Sequence, residues 1–276
     1  MPTRRALLAA PLLAGPAWAG EGETLAALEA RHGGRLGVAV LDTGSGRRLA
    51  LRGDERFPLT STFKFLAAGC VLARVDRGEE RLDRLVTYAR EDLVTYSPVT
   101  GQHASLSVGG LCDAAVTLSD NSAGNLLLDS FGGPAGLTAW LRTLGDGVTR
   151  LDRRETALNE ARPGDPRDTT TPEAMLGLMQ ALLLGPALSA ASRAQLAAWL
   201  VGCRTGDRRL RAGVPSGWRI GDKTGSGENG TTNDIAILWP PARAPILVAT
   251  YYTGATATEA ARSAVLAEVG QLAAAA

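Results

Sequence analysis

Ser61 and Lys64 stand three residues apart in the stretch Phe57-Pro58-Leu59-Thr60-Ser61-Thr62-Phe63-Lys64-Phe65, and an apolar run follows to Leu72. A hydroxyl is a poor nucleophile at its own pKa, but a neighbouring amine that is desolvated and lowered in pKa can activate it. Three residues is nearly one helical turn, so Lys64 would lie over Ser61 on one helix face. Pro58 and Thr60 predict a helix start near Thr60. Ser61 would then sit among the free N–H groups of a first turn, which favour a developing negative charge. A surface helix with an incidental serine and lysine has the same pattern.

Three further groups could act with this pair. Ser119-Asp120-Asn121 follows an apolar run. It reads either as a cap or turn, or as a hydroxyl proton shuttle beside an amide that binds a substrate carbonyl. Lys223-Thr224-Gly225-Ser226-Gly227 is predicted to end a strand and turn towards the next. It is not a phosphate loop, because Asp222 stands where that loop needs glycine before the lysine. The alternative is a cationic, hydroxyl-lined strand edge for an anionic substrate, with Gly225 and Gly227 letting it approach the backbone. Glu155 and Asn159, four residues apart, could position one water for attack. A solvated acidic loop is the plainer reading. Arg153 and Asp168 could close the neck of that loop as an ion pair.

These residues need elements to position them. A short helix over 23–32 and a strand pair over 36–41 and 47–51 are predicted to open the fold. Helical periodicity then dominates over 61–76, 108–121, 122–131, 135–144, 172–183 and 192–200. The charged, irregular segment 150–171 is too long for a passive connector and reads as a structured Ω-loop. Strand patterns return at 218–223, 233–239 and 246–252, before a last helix over 256–272. The predicted fold is α/β: an antiparallel sheet flanked by the terminal helices, with an inserted all-α block. The expected division is a discontinuous α/β domain, 20–59 and 207–276, and a helical domain, 60–206. The cleft between two such units is where a site is expected.

A formal net charge of +1 argues against nucleic acid or an anionic membrane as the main partner, and 45% hydrophobic residues suffice for a sizeable core. Residues 1–19 read as a secretory signal peptide: Arg4 and Arg5 form the basic region, an apolar stretch follows, and Ala17-Trp18-Ala19 gives the cleavage pattern. It is too short for a membrane span. Arg4-Arg5 fits twin-arginine export and an ordinary basic region equally. The expected location is periplasmic or secreted. Cys70, Cys112 and Cys203 read as buried thiols, and spacing leaves a Cys70–Cys112 bridge open. No cofactor is implied. With only His32 and His103, and no ligand spacing among the cysteines, neither a Ser-His-Asp triad nor a metal site is expected.

Taken in order, residues 57–64, Tyr96-Ser97-Pro98-Val99-Thr100, and residues 119–127, 150–161, 167–172 and 223–227 resemble the class A serine β-lactamases over essentially the whole mature length. The resemblance implies hydrolysis of a β-lactam amide by a monomer. Ser61 would be the acylated nucleophile and Lys64 a general base or relay. Ser119 would pass a proton to the lactam nitrogen, and Asn121 would hold the acylamino side chain. Glu155 and Asn159 would hold the deacylating water, across a cis bond from Glu155 to Thr156. Lys223, Thr224 and Ser226 would face the substrate carboxylate, and Tyr96 would wall the cleft. The N–H groups of Ser61 and Ser226 would form the oxyanion hole.

Three positions depart from family patterns. Thr60 and Gly227 stand where a carbapenemase subgroup has a disulfide. Another family disulfide joins the Cys112 position to that of Ala68, whereas Cys70 is two residues on, about 200° round a helix, which argues against that bridge. Thr232 stands where many relatives place an arginine. Other relatives supply it from the preceding segment, and alignment there selects Arg209 over Arg208 and Arg211. Competing functions are a penicillin-binding D,D-carboxypeptidase or transpeptidase, which lacks the deacylating carboxylate, and a sensor domain that stays acylated.

Overall fold

The computed structural model describes residues 21–275. The leader expected over 1–19 lies outside them. The first half of the chain gives helix α1 (Glu21–His32), strands β1 (Arg35–Asp42), β2 (Arg48–Leu51) and β3 (Phe57–Pro58), helix α2 (Phe63–Asp76), strands β4 (Leu85–Thr87) and β5 (Ser105–Ser107), and helices α3 (Val108–Thr117), α4 (Asn121–Asp129) and α5 (Gly133–Thr143). The second half gives strand β6 (Thr169–Thr170), helices α6 (Pro172–Leu183), α7 (Ala190–Val201) and α8 (Leu210–Gly213), strands β7 (Arg219–Gly227), β8 (Thr231–Trp239) and β9 (Ile246–Thr253), and helix α9 (Glu259–Ala275).

The main sheet has the order β2-β1-β9-β8-β7 and its pairings are antiparallel. Its middle strands are buried on both faces, and alternation along each strand sorts the side chains. Val38, Val40, Ala236, Leu238, Val248 and Tyr252 join Leu25, Leu266 and Val269 of the terminal helices. Ala39, Leu41, Ile235, Ile237, Leu247 and Tyr251 face the other way, into one core shared with α2 and α6. α2 is buried from Phe63 to Ala73, as an all-round apolar helix must be.

Three local readings are corrected. Segment 108–121 is not one helix: it breaks after Thr117, and Ser119 takes a positive φ of 59°. Asp120 then caps α4, its Oδ1 accepting from Ala123 N. Lys223-Thr224-Gly225 does not end a strand but lies inside β7, which continues to Gly227 before the turn. For Gly225 and Gly227 the reason for glycine is corrected: their bare faces meet this chain, although Gly225 also lines the cavity beside Ser226. A Cβ on Gly225 would lie 2.1 Å from Thr60 Oγ1, and one on Gly227 would lie 2.8 Å from Asn159 O. All three cysteines are free and buried.

Candidate active site

Ser61 lies in a 3-10 turn, Thr60–Thr62, that runs directly into α2. Thr60 does not cap the helix. Its hydroxyl donates to Leu59 O and accepts from Asn233 Nδ2 (2.7 and 3.0 Å), which ties β8 to this turn. One turn into the helix direction, Lys64 Nζ donates to Ser61 Oγ at 2.8 Å. Nζ also donates to Asn121 Oδ1 (2.6 Å) and Ser119 O (2.9 Å). Ser61 Oγ in turn donates to Glu155 Oε1 at 3.1 Å, and Lys64 Nζ lies 2.8 Å from the same oxygen. Asn159 Nδ2 donates to Glu155 Oε2 at 2.6 Å, and Asn159 Oδ1 is buried with no hydrogen-bond partner among the described residues. From β7, Lys223 Nζ donates to Ser119 Oγ at 3.0 Å and to Thr224 O at 2.7 Å.

Lys64 and Lys223 are the only lysines in the chain, and both are fully buried in this cluster; every other strongly basic side chain is arginine. A lysine changes its pKa readily on burial, and an arginine does not. Burial lowers the Lys64 pKa, while Glu155 and then Asp120 pull it back up. Burial, reinforced by the Lys64 cation, pushes Lys223 down to about 7.

The Ω-loop carries Glu155 to the serine. Its neck is closed by β3 pairing with β6, and by Leu59 N donating to Asp168 O. Asp168 is 1% exposed; its Oδ1 accepts from the N–H groups of Asp152 and Arg153, and its Oδ2 from Arg153 Nε at 2.6 Å. The Glu155–Thr156 bond is cis. Breaking a buried pair on one side typically costs about 3–5 kcal/mol. On the roles that the resemblance implies for Ser61 and Glu155, Asp168→Ala is expected to lower Tm and to slow deacylation more than acylation, because Glu155 rides on the loop that Asp168 closes whereas Ser61 sits in the turn that runs into α2. Pre-steady-state rates that fall equally would contradict this.

The arginine cluster resolves into three fates. Arg209 is buried; its Nη1 donates to Gly225 O (2.8 Å) and Asn233 O (2.7 Å), and its Nη2 to Ser226 Oγ (2.7 Å). Arg211 pairs with the buried Asp222 behind the sheet edge, and Arg208 is exposed. Thr232 receives a hydrogen bond from Arg262 Nε of α9 at 2.9 Å.

Ser61, Tyr96, Ser119, Asn121, Asn159, Thr224 and Ser226 line one cavity of about 340 Å³ with Thr205, Arg209 and Glu259. Larger grooves lie beside residues 144–148 and behind residues 161–166, but neither contains a hydroxyl–amine pair. Tyr96, 56% exposed, forms a wall. The Asn121 side chain has commitments within the protein: besides the Lys64 contact, its Nδ2 donates to Thr95 O at 2.7 Å.

Several positioning residues escaped the sequence reading. Asn125 holds the Glu155 backbone, accepting from its N–H (2.9 Å) and donating to its carbonyl (3.0 Å). Thr205 Oγ1 lies 2.5 Å from Thr224 Oγ1. Asp120 Oδ2 accepts from the N–H groups of Val99 and Thr100, fixing the loop that carries Tyr96. Asp120 had a signal in its motif, and Asn125 lay in the matching stretch 119–127 without a role assigned to it; Thr205 had none, since its partner Thr224 comes from another element.

An antiparallel sheet backed by a helical block, with a serine–lysine pair and a loop carboxylate converging at its edge strand, is the arrangement of the serine β-lactamases. Residues 22–276 match the Beta-lactamase enzyme family. Beta-lactamase FAR-1 of Nocardia farcinica is 53% identical over 226 residues, 81% of this chain and 72% of that protein. Beta-lactamase AST-1 of Nocardia asteroides is 51% identical over 245 residues, 88% of this chain and 79% of that one. Among solved structures, an ancestral (GNCA) class A β-lactamase superposes with a TM-score of 0.90 at 65% identity, covering 91% of this chain and 97% of its own. The chain belongs to the β-lactamase enzyme family and is a class A member.

Proposed function

We propose that this chain hydrolyses the β-lactam amide of penicillins and cephalosporins through an acyl-enzyme on Ser61. Ser61 Oγ attacks the lactam carbonyl carbon. Its proton leaves to Lys64, or to Glu155 through a water. The N–H groups of Ser61 and Ser226 stabilise the oxyanion. As the C–N bond breaks, Ser119 Oγ delivers a proton to the lactam nitrogen and is resupplied from the lysines beside it. Glu155, steadied by Asn159, then takes a proton from the water that attacks the ester; the bond from the carbonyl carbon to Ser61 Oγ breaks, and that proton passes to Ser61 Oγ directly or through Lys64, restoring the free serine. Asn121 and Tyr96 receive the acylamino side, while Lys223, Thr224, Ser226 and Arg209 receive the carboxylate.

The observation that carries this reading is Glu155 at hydrogen-bond distance from Ser61 Oγ, with its second oxygen held by Asn159. A transpeptidase or a β-lactam sensor needs the acylation groups but no carboxylate poised at the ester. Nitrocefin turnover far beyond one equivalent per chain supports hydrolysis; a single stoichiometric burst contradicts it. We read the cleft as lying between segment 60–206 and the α/β unit formed by 20–59 and 207–276. The exported, monomeric state and a role in β-lactam resistance belong to the same proposal. Among the described residues no helix is long and apolar enough to cross a membrane.

The depressed Lys223 gives a pH dependence with a definite sign. An anionic substrate binds the protonated amine, which in the empty site is present below about 7 and lost above it. KM for benzylpenicillin is expected to rise from about pH 7 to pH 9. Lys223→Arg, whose guanidinium stays charged, is expected to flatten that rise. An identical KM profile for both proteins would rule the assignment out.

A further inference from the structure

Glu259 lines the cavity but has no part in the chemistry above. It opens α9, where a helix N-terminus favours negative charge. Its Oε1 lies 3.5 Å from Arg209 Nη2, the nitrogen that also donates to Ser226 Oγ. The two side chains are unlike in exposure: Arg209 is 6% exposed and Glu259 is 69% exposed. Arg209 Nη1 is occupied by the carbonyls of Gly225 and Asn233. The cavity-facing end of Arg209 is therefore shared between Ser226, Glu259 and any anion that enters.

We propose that Glu259 sets the charge selectivity of the enzyme for the part of a β-lactam next to its carboxylate, disfavouring a second negative charge there and favouring a positive one. The inference rests on the reading that Arg209, Lys223, Thr224 and Ser226 receive the substrate carboxylate. In a cephalosporin, the ring carbon bearing the carboxylate is bonded to C3, the carbon that carries the variable substituent. A charged C3 group is thereby held within a few bond lengths of the carboxylate, hence close to Glu259. That separation is within the Debye length of about 10 Å at ordinary salt, so the carboxylate acts on the group through solvent without touching it. Its effect has opposite sign for a cation and an anion and vanishes for a neutral group. Glu259 also competes with every substrate carboxylate for Arg209, and that part is the same for all three.

The test separates the two parts. Three cephalosporins with one acyl side chain and a cationic, neutral or anionic C3 group that is not expelled are compared by kcat/KM. Glu259→Gln is expected to improve the anionic substrate about two- to fivefold relative to the neutral one, and to weaken the cationic one by a similar factor, the scale of an exposed charge pair. Glu259→Lys should reverse the wild-type order of anionic and cationic substrates. Both effects should shrink towards unity at about 1 M salt, where the Debye length is about 3 Å. Turnover by the wild type with an equal response of all three substrates to Glu259→Gln overturns this inference alone. If the wild type turns over none of the three, the hydrolase reading fails and this inference falls with it.

Discussion

Glu155→Ala is expected to give a protein that opens one β-lactam ring per serine and then stops. Glu155 is 5% exposed and faces Ser61 Oγ, and among the described residues the one carboxylate in the cavity lining, Glu259, lies at Arg209 instead. Removing a positioned acid–base group typically costs about 10²–10⁴-fold in rate. That loss should fall on deacylation, so penicillin should accumulate as an ester visible by intact mass spectrometry. Acylation should also slow, because Lys64 loses the carboxylate 2.8 Å from its Nζ. Glu155→Gln separates the two effects: it keeps the side-chain volume and an oxygen for Asn159 Nδ2 but cannot take a proton. Ser61→Ala should abolish labelling altogether. Wild-type turnover by Glu155→Ala would remove Glu155 from the mechanism.

Arg209→Ala is expected to lower kcat/KM by roughly ten- to a hundredfold, the scale of one charge-assisted contact of about 1.5–3 kcal/mol. The loss should be concentrated on substrates that carry the carboxylate. Lys223 offers a point charge, whereas a guanidinium offers a planar fork. Truncation also strands two buried carbonyls, those of Gly225 and Asn233. Arg209→Lys is the companion that keeps the charge and most of the volume. It should fold better than Arg209→Ala and still lose affinity, since one ammonium is a poor substitute for both ends of the fork. Arg208→Ala should be nearly silent, as that side chain is exposed. Arg211→Ala should act mainly on stability, because it leaves the buried Asp222 unpaired. Wild-type kcat/KM on benzylpenicillin for Arg209→Ala would show that no compensating arginine works there.

Short-range chemistry was legible in the chain itself. Ser61 and Lys64 meet because they lie nearly one helical turn apart, and Glu155 and Asn159 meet in a tight turn of the same loop. The apolar runs in β1, β8 and β9, whose strands are buried on both faces, and the apolar run of α2 follow from burial that each segment must find. Arg153 and Asp168 could be paired from the sequence because they bound one loop. What tertiary structure alone decided spans larger separations. Lys223 donates to Ser119 across 104 positions, and Asn233 reaches the turn before Ser61 from 173 positions away. Neither pairing leaves a periodic trace, because it is made when β7 and β8 dock against the helical block. The sequence could not explain why Arg209, rather than Arg208 or Arg211, turns inward: the reason lies in acceptors that β7 and β8 present together, at Gly225, Ser226 and Asn233. Likewise, helical propensity ran through 118–120, but the bonds of Asp120 to Val99, Thr100 and Ala123 hold a break there. A propensity of a few tenths of a kcal/mol per residue yields to several buried hydrogen bonds on one carboxyl group.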